Sequence, residues 1–207
     1  MIVRALLGVR GLRVLASGLG ILAFDILRLR RSVVLSNLDI AFTNTHTPAQ
    51  KPHIGCKSYI NFLNTTLEFF ASKKLYSKLA TTVRNEKYMQ NGLQQGQGVY
   101  NMIIHLGNFE LMAASGAKYW ARVNAVTKPV GSGEFAACVR RRREENGHFE
   151  ILPGGTTGSR QKKIFAALQR KEIVAFMVDQ RRSKGIRLSF FSKPALTNTS
   201  LFQLWRR

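Results

Sequence analysis

In "NMIIHLGNFELM" (101–112), His105 closes an apolar run and Glu110 follows five residues on. An imidazole and a carboxylate at this spacing suit general-base chemistry. The acid holds one ring nitrogen, and the other faces a substrate hydroxyl. The alternative is a polar loop that closes a buried strand. No Gly-x-Ser-x-Gly elbow is present, and neither Ser115 nor Ser132 has the context of a covalent nucleophile. A base at His105 would therefore act directly on an acceptor alcohol. His46, His53 and Cys56 have loose ligand-like spacing but no evident fourth partner, so neither a metal nor another cofactor is expected.

Two further stretches bear on ligands. "GGTTGSRQKK" (154–163) lacks the Gly-Lys-Ser/Thr ending of a P-loop. Backbone N–H groups at a helix start there suit a phosphate, and a plain turn is the other reading. The run Arg140–Arg143 reads as a solvated basic face, or as the source of one arginine that grips a phosphate in a cleft.

The elements that would position these residues follow from pattern. Val99–Ile104 is a short apolar run after a glycine-rich loop (91–98), which predicts a buried strand ending at His105. Gly107 allows a tight turn and Asn108 is a good N-cap. Glu110 then falls in the first turn of a helix over Phe109–Trp120, where the helix dipole favours a carboxylate. Strand-like stretches at 122–129, 148–153 and 172–180 alternate with helices over about Gly133–Asn146 and Gln161–Arg170, with Gly147 as a C′ residue. This alternation predicts an α/β fold: a mostly parallel sheet flanked by helices. Ligands of such sheets sit beyond the carboxyl ends of the strands. His105 and Asp179–Gln180 both stand there.

The front half reads as helical. Apolar residues recur near helical spacing from Ile54 to Leu79, after a turn-rich connection (43–52). Residues 1–27 are apolar but punctuated by Arg4, Arg10, Arg13 and Asp25. The uncharged run Val14–Phe24 is well short of the about 20 residues a spanning helix needs. A helix lying in a membrane interface, its arginines reaching headgroups, is expected; a signal peptide and an ordinary core helix are the alternatives. The organisation expected is thus 1–27 as a membrane-associated helix and 28–207 as one catalytic domain.

Composition supports a folded chain. Hydrophobic residues make up 45% and aromatics 10%, which excludes global disorder. The 32 Lys and Arg against 11 Asp and Glu leave +21, so anionic partners are expected: acidic lipid, acidic protein or nucleic acid. Two cysteines, Cys56 and Cys138, form no disulfide framework. A nucleic-acid-binding module is the competing class. It draws on the charge and the aromatics, but no recognition signature of such modules is present.

Taken in order, several segments carry a resemblance. They are the apolar, basic N-terminus, "RRSVVLSNLDIAF" (30–42), "GVYNMIIHLGNFE" (98–110), "RREENG" (142–147), "VDQ" (178–180) and "GIRLSFFSKPALTNTS" (185–200). Together they resemble the bacterial lipid A biosynthesis lauroyl/myristoyl acyltransferase family, among the wider acyltransferases with a His-x4-Asp/Glu motif. The resemblance implies transfer of a fatty acyl chain from an acyl carrier protein or coenzyme A thioester to a hydroxyl of a glycolipid, at the cytoplasmic face of a bacterial inner membrane. His105 would be the general base and Glu110 its orienting acid. Arg143 and Asp179 match positions near the family's acceptor site and, with Gln180 and Asn108, make the expected substrate-binding set. Thr43 and Ser192 depart from the usual Pro and Gly of the family. The chain stops at "LFQLWRR" where the family usually continues, so an acyltransferase domain incomplete at its C-terminus is expected. A non-catalytic, membrane-associated relative is the remaining alternative.

Overall fold

The computed structural model describes residues 8–71, 82–152, 158–180 and 185–205. Residues 1–7 of the expected N-terminal helix, the helical reach expected over 72–79, and 154–157 of the glycine-rich loop lie outside them. The described residues form two compact units: those up to 71 with 191–193, and those from 82 to 190 with those from 194 onward.

The first unit is helical. Helix α1 (Val9–Ile21) runs directly into a π-helical turn (Leu22–Ile26) and packs on α3 (Lys51–Phe70), with α2 (Arg31–Ala41) also against α3. Two glycines allow the close approach. A Cβ on Gly20 would lie 2.5 Å from Ile60 Cγ1, and one on Gly55 would lie 2.5 Å from Phe24 Cζ. Phe24 is fully buried there, with the Arg31 guanidinium 5.1 Å from its ring centre. Lys51 Nζ reaches Asp39 Oδ1 at 2.6 Å and ties the start of α3 to α2. Val14, Ile26, Leu27 and Leu29 stay largely exposed. Among the described residues, no helix is long and apolar enough to cross a membrane.

The second unit holds a four-stranded, all-parallel sheet in the order β1 (Val99–Ile103), β4 (Ile173–Met177), β2 (Val123–Val126), β3 (His148–Ile151). The α/β expectation is met. Strand β4, "IVAFM", is apolar throughout because it is central and covered on both faces. Alternation sorts the side chains. Val174 and Phe176 meet Ile164 and Ala167 of α7 (Ser159–Gln169) on one face. Val123, Ile173 and Ala175 meet Ala113 and Ala117 of α5 (Phe109–Tyr119) on the other, with Met89 and Leu93 of α4 (Lys87–Gln94). Helix α6 (Gly133–Glu145) packs beside β3 and ends at Gly147, whose φ of +83° fits the C′ position.

Two features depart from expectation. The stretch 91–98, read as a loop, begins inside α4. Strands β5 (Ile186–Phe190) and β6 (Lys193–Thr197) form a separate two-stranded sheet, followed by α8 (Ser200–Trp205).

Candidate active site

Strand β1 ends one residue before Ile104, and the chain then delivers His105 beyond the sheet edge. Gly107 turns the chain at φ +61°, and Asn108 caps α5, accepting from the Leu111 N–H at 2.9 Å. The local reading of this turn holds. The partner of the histidine is different from expectation. His105 Nδ1 lies 2.8 Å from Asp179 Oδ1, and its backbone N–H donates to Asp179 Oδ2 at 2.7 Å. Asp179 reaches it because β4 lies next to β1, with Ile103 paired to Met177, so both chains leave the sheet side by side. Burial would raise the Asp179 carboxyl, but hydrogen bonds from the His105 ring and backbone outweigh it and hold the carboxyl below its ordinary value.

A neutral ring fits these contacts in one tautomer. With Asp179 ionised, Nδ1 carries the proton and donates. Nε2 then keeps its lone pair and accepts from the Gln180 amide, 3.2 Å away. The Phe109 ring packs edge-on at 5.1 Å. The His105 side chain is 31% exposed, so Nε2 can be reached.

Glu110 is turned the other way, toward β3. Its carboxylate takes Nε and Nη2 of Arg143, the latter at 2.5 Å, and sits 3.0 Å from His148 Nε2. Arg143 also gives Nη1 to Glu150 Oε1 at 2.5 Å, and Arg140 Nε lies 3.5 Å from Glu150 Oε2. The expected Glu110–His105 pairing is therefore replaced by His105–Asp179 and His148–Glu110. The physical reason is burial. A carboxylate so enclosed needs a cation, and Arg143, four residues before Gly147, supplies it. Burial would raise the Glu110 carboxyl, yet the His148 and Arg143 hydrogen bonds bring it below its ordinary value. Arg143, expected to hold substrate, spends its donors on these two carboxylates. Asp179, expected beside the acceptor, stands behind the histidine.

These groups share one cleft of about 530 Å³, lined by His105, Glu110, Arg143, His148 and Gln180, with Lys128 at its rim. Asn108 stays at its helix cap. The sequence reading missed His148. It is 1% exposed, and its Nδ1 has no partner among the described residues. The signal was present in "HFEI": His148 and Glu150, two residues apart on a strand, share the face on which Glu110 arrives. Among the described residues, no group of His, Cys, Asp and Glu could hold a metal ion.

An imidazole paired with an acid thus stands at the carboxyl ends of parallel strands, with Nε2 toward a cleft, where ligands of such α/β sheets sit. A model of the bacterial lipid A biosynthesis acyltransferases matches residues 1–207, and the chain belongs to that family. Membership makes it an acyltransferase by class, in a family that works on an acyl donor and a lipid acceptor. None of the curated proteins compared with the chain matches it.

Proposed function

We propose that the chain transfers a fatty acyl group from a thioester, on acyl carrier protein or coenzyme A, to a hydroxyl of a lipid A-type glycolipid, with His105 as general base. The observation that carries this reading is the His105–Asp179 pair, which leaves the Nε2 lone pair at the cleft. The acceptor hydroxyl displaces the Gln180 amide and gives its proton to Nε2 as its oxygen attacks the thioester carbonyl. The tetrahedral intermediate then collapses, the C–S bond breaks, and the imidazolium returns the proton to the leaving thiolate. Asp179 fixes the ring and stabilises the imidazolium between these steps. The oxyanion needs nearby donors. The Gly107 N–H is one candidate in the turn.

The +21 charge and the exposed apolar residues of α1 and the following turn support a working position on an anionic membrane surface. An inner-membrane, cytoplasmic-face location belongs to this proposal, and the charge equally suits an acidic carrier protein.

The experiment is mass spectrometry of a glycolipid acceptor incubated with thioester and protein. The wild-type chain adds one acyl mass. His105→Ala lowers the rate by about 10²–10⁴-fold, the usual contribution of a positioned base. An undiminished rate in a folded His105→Ala protein removes His105 from the chemistry.

A further inference from the structure

We propose that the hydrocarbon tail of the acyl donor runs beneath α5 and ends in a small apolar pocket beside Trp120, so that Met89, Met112, Gly116 and Trp120 set the acyl length transferred. This rests on the acyltransferase reading above and names a part of the substrate that reading leaves unplaced.

A second cavity, about 40 Å³, lies on the α5 face of the sheet. It shares Ile103 and Ala113 with the reaction cleft, so the two voids meet at the same wall. Strand parity puts both voids on one face of the sheet. Ile103, Met177 and Ala125 line the cleft on one face of the sheet, and Asn101, Ala175 and Val123 line the small pocket on that same face. Asn101 is four residues before His105, about 13 Å back along the strand at the usual rise. A chain whose carbonyl sits at His105 and whose tail follows this face reaches the pocket.

The pocket's chemistry selects the tail rather than a head group. Its lining carries no cation and, apart from Asn101, no polar side chain, so a phosphate has nothing to hold it. A dry apolar void takes an apolar guest. Its size suits the end of a chain rather than the whole of it. Methionine walls adapt to such an end, because their unbranched side chains fill irregular space. Gly116 keeps the void open. A Cβ there would lie 3.3 Å from Val123 Cγ2 and 3.8 Å from the Trp120 ring.

Trp120 supplies the test. The chain has two tryptophans, so Trp205→Phe leaves Trp120 as the sole indole emitter. A fatty acid brominated at its terminal carbon should quench that emission, and the same acid brominated beside its carboxyl should not. Equal quenching by both, or by neither, overturns the proposal. So does quenching only by a glycolipid acceptor with brominated acyl chains, which would assign the pocket to the acceptor. This measurement needs no turnover. In the transfer assay, Met112→Ala should shift the preferred donor one or two carbons longer and Gly116→Ala about one shorter. Discrimination should be about fourfold per methylene, from the transfer free energy of one such group. Unchanged length profiles in variants that still transfer contradict the proposal. If the wild-type chain transfers to no glycolipid hydroxyl, the acyltransferase reading fails, and the quenching result still decides where a fatty chain binds.

Discussion

His105–Asp179 and His148–Glu110 are two imidazole–carboxylate pairs in one cleft, and their surroundings separate them. The first is about a third exposed on both sides, at 31% and 34%. It carries no further cation on its carboxylate among the described residues, and its far nitrogen faces a movable amide. The second is enclosed. His148 is 1% exposed, and Glu110 is shared with Arg143 and linked through it to Glu150. Identical chemistry thus divides by access. The accessible pair can meet a substrate, whereas the buried pair spends its interactions on holding elements together. Glu110 comes from α5, Arg143 from α6, and His148 and Glu150 from β3, so the second pair joins three elements at the wall behind the first.

Removing the shared cation should break the buried pair most severely. Arg143→Ala leaves Glu110 with His148 alone and Glu150 with the more distant Arg140, and is expected to cost about 3–5 kcal/mol of stability. Chemical denaturation reads this directly. Asp179→Asn, at the exposed pair, should leave the unfolding midpoint within about 1 kcal/mol of wild type, because screened, accessible pairs contribute little. If the two variants unfold alike, the division by access is wrong.

Acid should sharpen the same contrast. Glu110 and Asp179 both have carboxyls below their ordinary values in the folded chain. A depressed carboxyl contributes stability that is complete above the unfolded value and is lost as pH falls through the folded one. Thermal stability should therefore hold from neutrality down to about pH 4, the ordinary carboxylate range, and decline below it. Glu110→Gln should flatten the decline more than Asp179→Asn, since the enclosed carboxylate has the larger share of fixed partners.

The smallest effect lies where the two pairs meet in the chain. Asn108→Ala removes the cap of α5, the helix that begins just after His105 and carries Glu110. A loss of about 1 kcal/mol is expected. Transfer should fall only modestly, because His105 is positioned by Asp179 rather than by the helix.

Much of this arrangement was legible before folding. Val99–Ile103 and Ile173–Met177 announce themselves as buried strands by short apolar runs. Gly107 and Asn108 mark the turn and cap by residue type. Which carboxylate meets His105 was not legible. The nearer acid sits on a local spacing motif, while Asp179 lies 74 residues away and arrives only because β4 inserts between β1 and β2. Sheet order is a tertiary fact that no local period encodes. Helix α4 was obscured because "KYMQNGLQ" is rich in Asn, Gln and Gly, and its fold depends on burying Met89 and Leu93. The β5–β6 hairpin hid for a related reason. Its two-residue turn, Phe191–Ser192, takes positive φ at both positions without the Asn-Gly pair that normally signals it.

The central claim is that Asp179, and not Glu110, works with His105. A pair of double-mutant cycles on the rate of acyl transfer tests it most directly. His105→Ala with Asp179→Asn should be no slower than His105→Ala alone, because an orienting acid has no effect once its imidazole is gone. His105→Ala with Glu110→Gln, corrected for folded fraction, should multiply the two single losses. The reverse pattern, with Glu110 masked by His105→Ala and Asp179 independent of it, would contradict the account.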